Sequence, residues 1–486
     1  MLFKNILIIM SIFSSHQQIS YLHGLVYKQM YKKYKPYFTQ ILRLSYPIII
    51  GQIGIVLMGV ADVVMIGNIN ATNLAAAGLA NSVYFLVSII GIGTLSAVSP
   101  IVAKAKGAGH VNETALLLRQ SIWASLTLSI FIVAILYILT INLEWFGQSE
   151  EVTVLTKSYL HILNGGTVFM LLFTAIKQFS DGLSITKPSA IITILGLALN
   201  VFLNWVLIYG KFGLPALELD GAGYATSFTR LLMASAMLAF VLRGNIYKPW
   251  LKIKEHIGGL SLFKDIFRIG LPSGMQYFFE VGAFASAAIM IGWFSKEQLA
   301  AHHIAINLAS VTYMVATGLS AGGGIAVGDA WGRKNKTDLI MSGKAALIMS
   351  VLFMGSTALL FAVFNTFFVS LYIDDVLVGG MAANLLLIAA LFQLSDGVQC
   401  VSLGILRAIN DTKMPTVFTV IAYWVIGIPI GWLLAKYFDL GLYGIWFGLS
   451  LGLTYSAIIL SRRFLKESRE FDFVKAEQQH FNDLIN

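Results

Sequence analysis

The chain has 486 residues, of which 12% are charged and 57% are Ala, Val, Ile, Leu, Met, Phe, Trp, Tyr or Cys, with a mean hydropathy of +0.78. Soluble domains carry about 25% charged residues and seldom exceed about 50% apolar ones, so a soluble fold cannot hide this much apolar surface. The net charge of +9 comes without the basic stripe or aromatic-basic interleaving of a nucleic-acid binder. The lone cysteine, Cys400, excludes an internal disulfide and a cysteine-built metal centre.

Residues 1–38 read as a cytoplasmic lead. The run LFKNILIIMSIF is too short for a span and lacks a small-residue cleavage site, so it is a poor signal peptide. Translation is expected to start at Met30, giving the basic lead MYKKYKPYFTQ; the other reading of the first segment is an interfacial amphipathic helix. Twelve apolar runs follow, near 39–67, 74–103, 116–141, 153–180, 188–210, 221–242, 266–294, 298–328, 339–373, 380–408, 414–436 and 441–461. Each holds the ~20 residues that a membrane-crossing helix needs. The basic, glycine-bearing stretch 247–265 joins runs six and seven, so the expected division is an N-lobe at 39–246, a linker at 247–265, a C-lobe at 266–463 and a cytoplasmic tail at 464–486.

Lysine and arginine give the orientation. One alternating set of connections together with both tails holds 28 of the 33 basic residues; the other set holds only Lys157, Lys211, Lys296 and Lys436, and Arg230 lies inside run six. Positive loops stay in the cytoplasm, which puts both termini there.

The halves are related by a shift of 225 residues, which aligns LRLSYP (42–47) with FRIGLP (267–272), MIG (65–67) with MIG (290–292), LAA (74–76) with LAA (299–301), and Gly107 with Gly332. TKP (186–188) likewise corresponds to TKMP (412–415). Six spans is an even number, so both copies run in the same direction and form a parallel repeat about an axis along the membrane normal.

Two carboxylates interrupt the apolar runs of the second half: Glu280 in LPSGMQYFFEVGAFASAAIMIG and Asp396 in NLLLIAALFQLSDGVQCVSLGIL. A charge at bilayer depth costs from about 2.5 kcal/mol upward, so it persists where it faces a cavity and meets a proton, a cation or a partner. Phe278 and Phe279 precede Glu280, while Phe392, Gln393 and Gln399 share a helix face with Asp396. In the first half Asp62 lies on run one; Asn200 and Asn204 stand one turn apart on run five, and Thr226 on run six adds a hydroxyl. Under the shift of 225, Asp62 meets Ala287 and Glu280 meets Ile55, so the acids are not symmetric. The asparagines also read as interhelical hydrogen-bonding groups, worth ~0.6 kcal/mol per pair.

This sequence resembles the multidrug and toxic compound extrusion (MATE) family, most closely its NorM-like bacterial branch. The resemblance is carried by YPIIIGQIGIVLMGVADVVMIG, GLPSGMQYFFEVGAFASAAIMIG, LAAHHIAIN and SDGVQCVSLGILRAINDTKMP, and it covers the chain from about Met30 to Lys466. It implies an all-α polytopic membrane protein with twelve transmembrane helices in two six-helix lobes. It also implies a secondary antiporter of the bacterial inner membrane that expels amphipathic, often cationic drugs in exchange for Na+ or H+. By the resemblance, Glu280 and Asp396 form a C-lobe cation or proton-coupling site and would hold Na+ if sodium is the coupling ion. Asp62, Asn200, Asn204 and Thr226 form an N-lobe polar site, and Phe279, Phe392 and Gln393 line the cavity. The family often has a tyrosine where this chain has Phe392, and a related pattern has an acid at Asn204. Expected partners are small-molecule drugs and the bilayer, with no nucleic acid and no cofactor beyond the ion, and the protein is expected to act as a monomer.

Pro47, Pro429 and the Gly322-Gly323-Gly324 run offer either bending or close helix packing. His302 and His303 are expected at the outer interface. Rival readings are a lipid-linked saccharide flippase of the same superfamily, a passive channel and a membrane-embedded enzyme. A flippase needs a cationic cavity, whereas the acids here favour cationic cargo. GLSAG (318–322) and GLSLG (448–452) match the serine-hydrolase pattern but lack its strand-turn-helix context. No phosphate-binding G-x-x-x-x-G-K-[ST] motif occurs, which excludes an ATP-driven pump within this chain.

Overall fold

The structure is a computed structural model that describes residues 2–252 and 259–474, with side chains from Lys32 onward. The middle of the expected linker, with Lys254, and the end of the tail, with Lys475, lie outside the described residues. The described residues form helices and no strands, as a lipid environment requires of a chain that must satisfy its own backbone hydrogen bonds. In order these are α1 (Leu2–Gly67), α2 (Ala71–Leu95), α3 (Val98–Gly107), α4 (Val111–Ile141), α5 (Glu150–Gly165), α6 (Thr167–Gly182), α7 (Lys187–Tyr209), α8 (Glu218–Arg243), α9 (Gly259–Gly292), α10 (Lys296–Gly332), α11 (Lys336–Ser370), α12 (Val376–Ala408), α13 (Lys413–Val420), a π-helical segment (Ile421–Gly427), α14 (Ile428–Tyr437) and α15 (Gly441–Glu470).

Among the described residues eleven helical stretches, α2 with α3 and α13 with α14 each counted as one, are long and apolar enough to cross a membrane, and the pair α5 and α6, bent by 40° at Gly166, gives a twelfth when taken as one span. The span boundaries follow local chemistry. Asn70, Ser295, Asn335 and Asp375 each accept a hydrogen bond from the backbone N–H three residues on, which caps α2, α10, α11 and α12. Gly210, at φ +62°, ends α7 in the left-handed conformation that glycine adopts freely.

The 225-residue repeat organises the contact between the lobes. Gly93 of α2 packs on Gly274 of α9, where a Cβ would come within 2.8 Å of the Gly274 Cα; its repeat mate Gly318 of α10 packs on Ile49 of α1, the mate of Gly274. Gly107 lies against the backbone carbonyl of Asp329, and its mate Gly332 lies against that of Lys104, the mate of Asp329. A contact that maps onto itself when its partners are exchanged marks a two-fold relation between the halves. Even the side chains follow it. Lys106 approaches Asp329 at 4.0 Å, while the equivalent pairing has Lys104 over the Trp331 ring at 4.0 Å.

Among the described glycines, every one that meets the opposite lobe does so in the half of the bundle bearing the basic loops. Ile41, Leu44 and Ile48 of α1 join Leu319, Trp331 and Leu339 of the C-lobe in one buried apolar cluster there, and the Tyr37 hydroxyl donates to Asp338 at 2.9 Å. The lobes are thus sealed together at the basic end. The triple glycine serves packing, since Gly322 abuts Ser45, Gly323 faces Ala346 and Gly324 lies near the Gly404 carbonyl, all within the continuous helix α10.

Candidate functional site

In the N-lobe, α1, α7 and α8 bring the four expected polar residues into one buried cluster. Asn204 Nδ2 donates to Asp62 Oδ1 at 2.5 Å, and Thr226 Oγ1 donates to Asp62 Oδ2 at 3.1 Å. Asn200 stands behind them, with its Nδ2 donating to Thr226 Oγ1 at 3.2 Å and its Oδ1 accepting from Asn204 at 3.3 Å. Spacing of four on α7 places both amides on one face. Each carboxylate oxygen therefore has its own donor. Arg230, one turn after Thr226 on α8, gives its guanidinium N–H to the Tyr84 hydroxyl at 2.7 Å and lies within coulombic reach of Asp62.

In the C-lobe, Glu280 of α9 is 6% exposed and Asp396 of α12 is 8% exposed. Gln399, almost one turn after Asp396 on α12, joins that helix to Glu280. Glu280 is surrounded by donors: Gln276 Nε2 lies 3.4 Å from Oε2, Gln399 Nε2 lies 3.4 Å from Oε1, and the Tyr423 hydroxyl donates to Oε1 at 3.3 Å. Asp396 accepts no hydrogen bond from any described residue, and Gln399 Oε1 is buried without a partner. Two carboxylates and a spare amide oxygen form an all-oxygen acceptor set, which suits a hard cation or a proton. No metal cage of three or more His, Cys, Asp or Glu occurs among the described residues.

Sequence reasoning passed over Tyr423. Its hydroxyl receives Gln399 Nε2 at 2.9 Å, so the phenol links α12 to α9 through the carboxylate. Gln276, one turn before Glu280, was legible by spacing alone.

The expected cavity residues divide. The Phe279 ring is partly exposed and packs edge-on against Trp424. Phe392 is instead buried, tilted against Trp446 in a small apolar recess shared with His302 and Phe284. Gln393 is also buried, turned to α11 where its Oε1 accepts from Thr357 at 2.6 Å. His302, near the start of α10, faces inward, 2% exposed, and its Nδ1 accepts from the Trp446 indole N–H at 3.1 Å, while His303 is exposed. Neither hydrolase-like serine is free to act, since Ser320 donates to the Cys400 carbonyl at 2.6 Å and Ser450 to the Trp446 carbonyl at 2.7 Å.

Comparison with known proteins agrees with this architecture. The MatE family model matches residues 47–206 and again 272–433, two stretches that begin 225 residues apart. The multidrug resistance protein NorM of Aliivibrio fischeri is 33% identical over 89% of this chain and 95% of its own length. The multidrug resistance protein MdtK of Proteus mirabilis is 35% identical over 91% of this chain and 98% of its own. Among solved structures, a eukaryotic MATE transporter superposes with a TM-score of 0.83 at 17% identity, covering 92% of this chain and 99% of that one. The Vibrio cholerae MATE transporter VcmN in its bent form gives 0.79 at 17% identity, covering 90% and 98%. At that identity the structures speak for the fold, and the sequence matches speak for descent: the chain belongs to the MatE family.

Proposed function

We propose that this protein is a secondary active antiporter that exports amphipathic, often cationic small molecules in exchange for Na+ or H+ by alternating access between its lobes. As a member of a transporter family it is not an enzyme. The observation that carries the ion-coupled reading is the C-lobe pair, in which both carboxylates are buried and Asp396 accepts no hydrogen bond from any described residue. Such a pair is costly while empty and charged, and a bound cation or proton removes that cost. The ion then favours whichever lobe arrangement encloses it best, and a cationic drug favours the other, because a ligand shifts an equilibrium only through its different affinity for the two states. The relatives named multidrug resistance proteins support drugs as the cargo.

The seam at the basic end supports a state closed toward the cytoplasm, with both termini there; the bacterial relatives support an inner membrane, and action as a single copy is part of the same proposal. No cofactor beyond the coupling ion is proposed. The test is efflux of a cationic dye from proteoliposomes under separately imposed sodium and proton gradients. Dye movement driven by one of them is the expected result, and movement indifferent to both would contradict antiport. Cysteines at Asn70 and Lys296 should label from outside intact cells while those at Lys106 and Lys334 do not; the reverse would invert the orientation.

A further inference from the structure

Pro429 has no backbone N–H to continue an α-helical ladder, and the turns leading to it widen into the π-helical segment, which closes with the Ile428 amide donating to the Tyr423 carbonyl. The wide turns direct two successive side chains at two successive residues of α9. The Tyr423 hydroxyl reaches Glu280 Oε1 at 3.3 Å, and the Trp424 indole N–H reaches the Phe279 carbonyl at 3.0 Å. Tyr423 is fully buried, its ring tilted against Phe284 with centroids 5.9 Å apart. Because Gln399 Nε2 donates to the phenol oxygen at 2.9 Å, the phenol proton is left for the carboxylate.

We propose that Tyr423 is a positioning residue of the cation site, whose hydroxyl holds the Glu280 carboxylate fixed in one orientation to receive an alkali cation. The proposal rests on the reading of Glu280 and Asp396 as the ion-coupling pair. Its ring packs and its oxygen orients, and the two roles separate by substitution.

The experiment measures radioactive sodium binding to the purified full-length transporter, with potassium as the control cation, alongside the sodium-activation curve of dye efflux. Tyr423→Phe keeps the ring and should fold as the native chain does. Losing one hydrogen bond to a charged group should weaken sodium binding about tenfold, with the maximal efflux rate at saturating sodium within about twofold of wild type. Wild-type sodium affinity in Tyr423→Phe, with impairment only in Tyr423→Leu, would reduce Tyr423 to ring packing and overturn the proposal. So would a wild-type protein that binds no sodium. Ion-driven efflux that survives in Glu280→Gln would instead overturn the coupling-pair reading beneath it.

Discussion

The two lobes share a fold and a repeat but treat a buried acid in opposite ways. In the N-lobe, both oxygens of Asp62 have a donor, and a guanidinium held by Tyr84 stands in coulombic range. In the C-lobe, donors crowd onto Glu280 while Asp396 receives none from the described residues. Burial alone therefore does not make a cation site. What matters is whether the protein has already met the charge with its own dipoles and counter-charge. By that measure Asp62 is close to satisfied and Asp396 is not, which is why the proposed ion site lies in the C-lobe.

Breaking the C-lobe side of this contrast should have the largest effect. Glu280→Gln and Asp396→Asn put neutral amides where charges are costly, so both should fold and reach the membrane. Gradient-driven efflux at matched protein level should fall to background in each, and wild-type rates in both would leave these acids as structural groups. Next in size is the seam that both lobes share. A side chain at Gly332 meets the Lys104 backbone, so Gly332→Val should hold the basic end open and lower transport more than about tenfold by blocking one of the two states. Thiol accessibility of a cysteine at Ala97 should rise with it; unchanged accessibility would mean that the seam tolerates the overlap.

The N-lobe changes should be milder. Asp62→Asn is expected to slow efflux several-fold while leaving sodium affinity within about twofold of wild type, since it lies in the other lobe. A parallel loss of sodium affinity would erase the distinction between the lobes. Asn204→Ala removes the shorter of the two donors to a buried carboxylate and should cost about 1.5–3 kcal/mol of stability, read as a lower thermal midpoint in detergent. An unchanged midpoint would show that Asp62 is not held by that bond.

Much of the architecture could be read from the chain because lipid imposes a simple code. Apolar runs about twenty residues long, broken by charged or capping residues, mark the spans. The repeat was legible in a few short matches, and its consequence, that Gly107 and Gly332 meet the repeat-related residues Asp329 and Lys104, follows from a two-fold axis. Asp62, Asn200, Asn204 and Thr226 stood out because polar groups in apolar helices are scarce, and the structure brings all four together.

Tyr423 did not stand out. Tyrosines are plentiful along the spans, and its aim depends on helix turns one residue wider than usual, for which Pro429 is the only local sign. The inward turn of His302 was hidden for a related reason, since its partner Trp446 lies 144 residues further along the chain. Side-chain direction at a helix end is decided by packing that no local pattern records.

The most direct test of the difference between the lobes is equilibrium sodium binding, with proton release followed in parallel, on three purified proteins: wild type, Asp62→Asn, and the double variant Glu280→Gln with Asp396→Asn. The account predicts that ion binding persists in Asp62→Asn and disappears in the double variant. Binding that survives in the double variant and vanishes in Asp62→Asn would move the ion site to the N-lobe and contradict it.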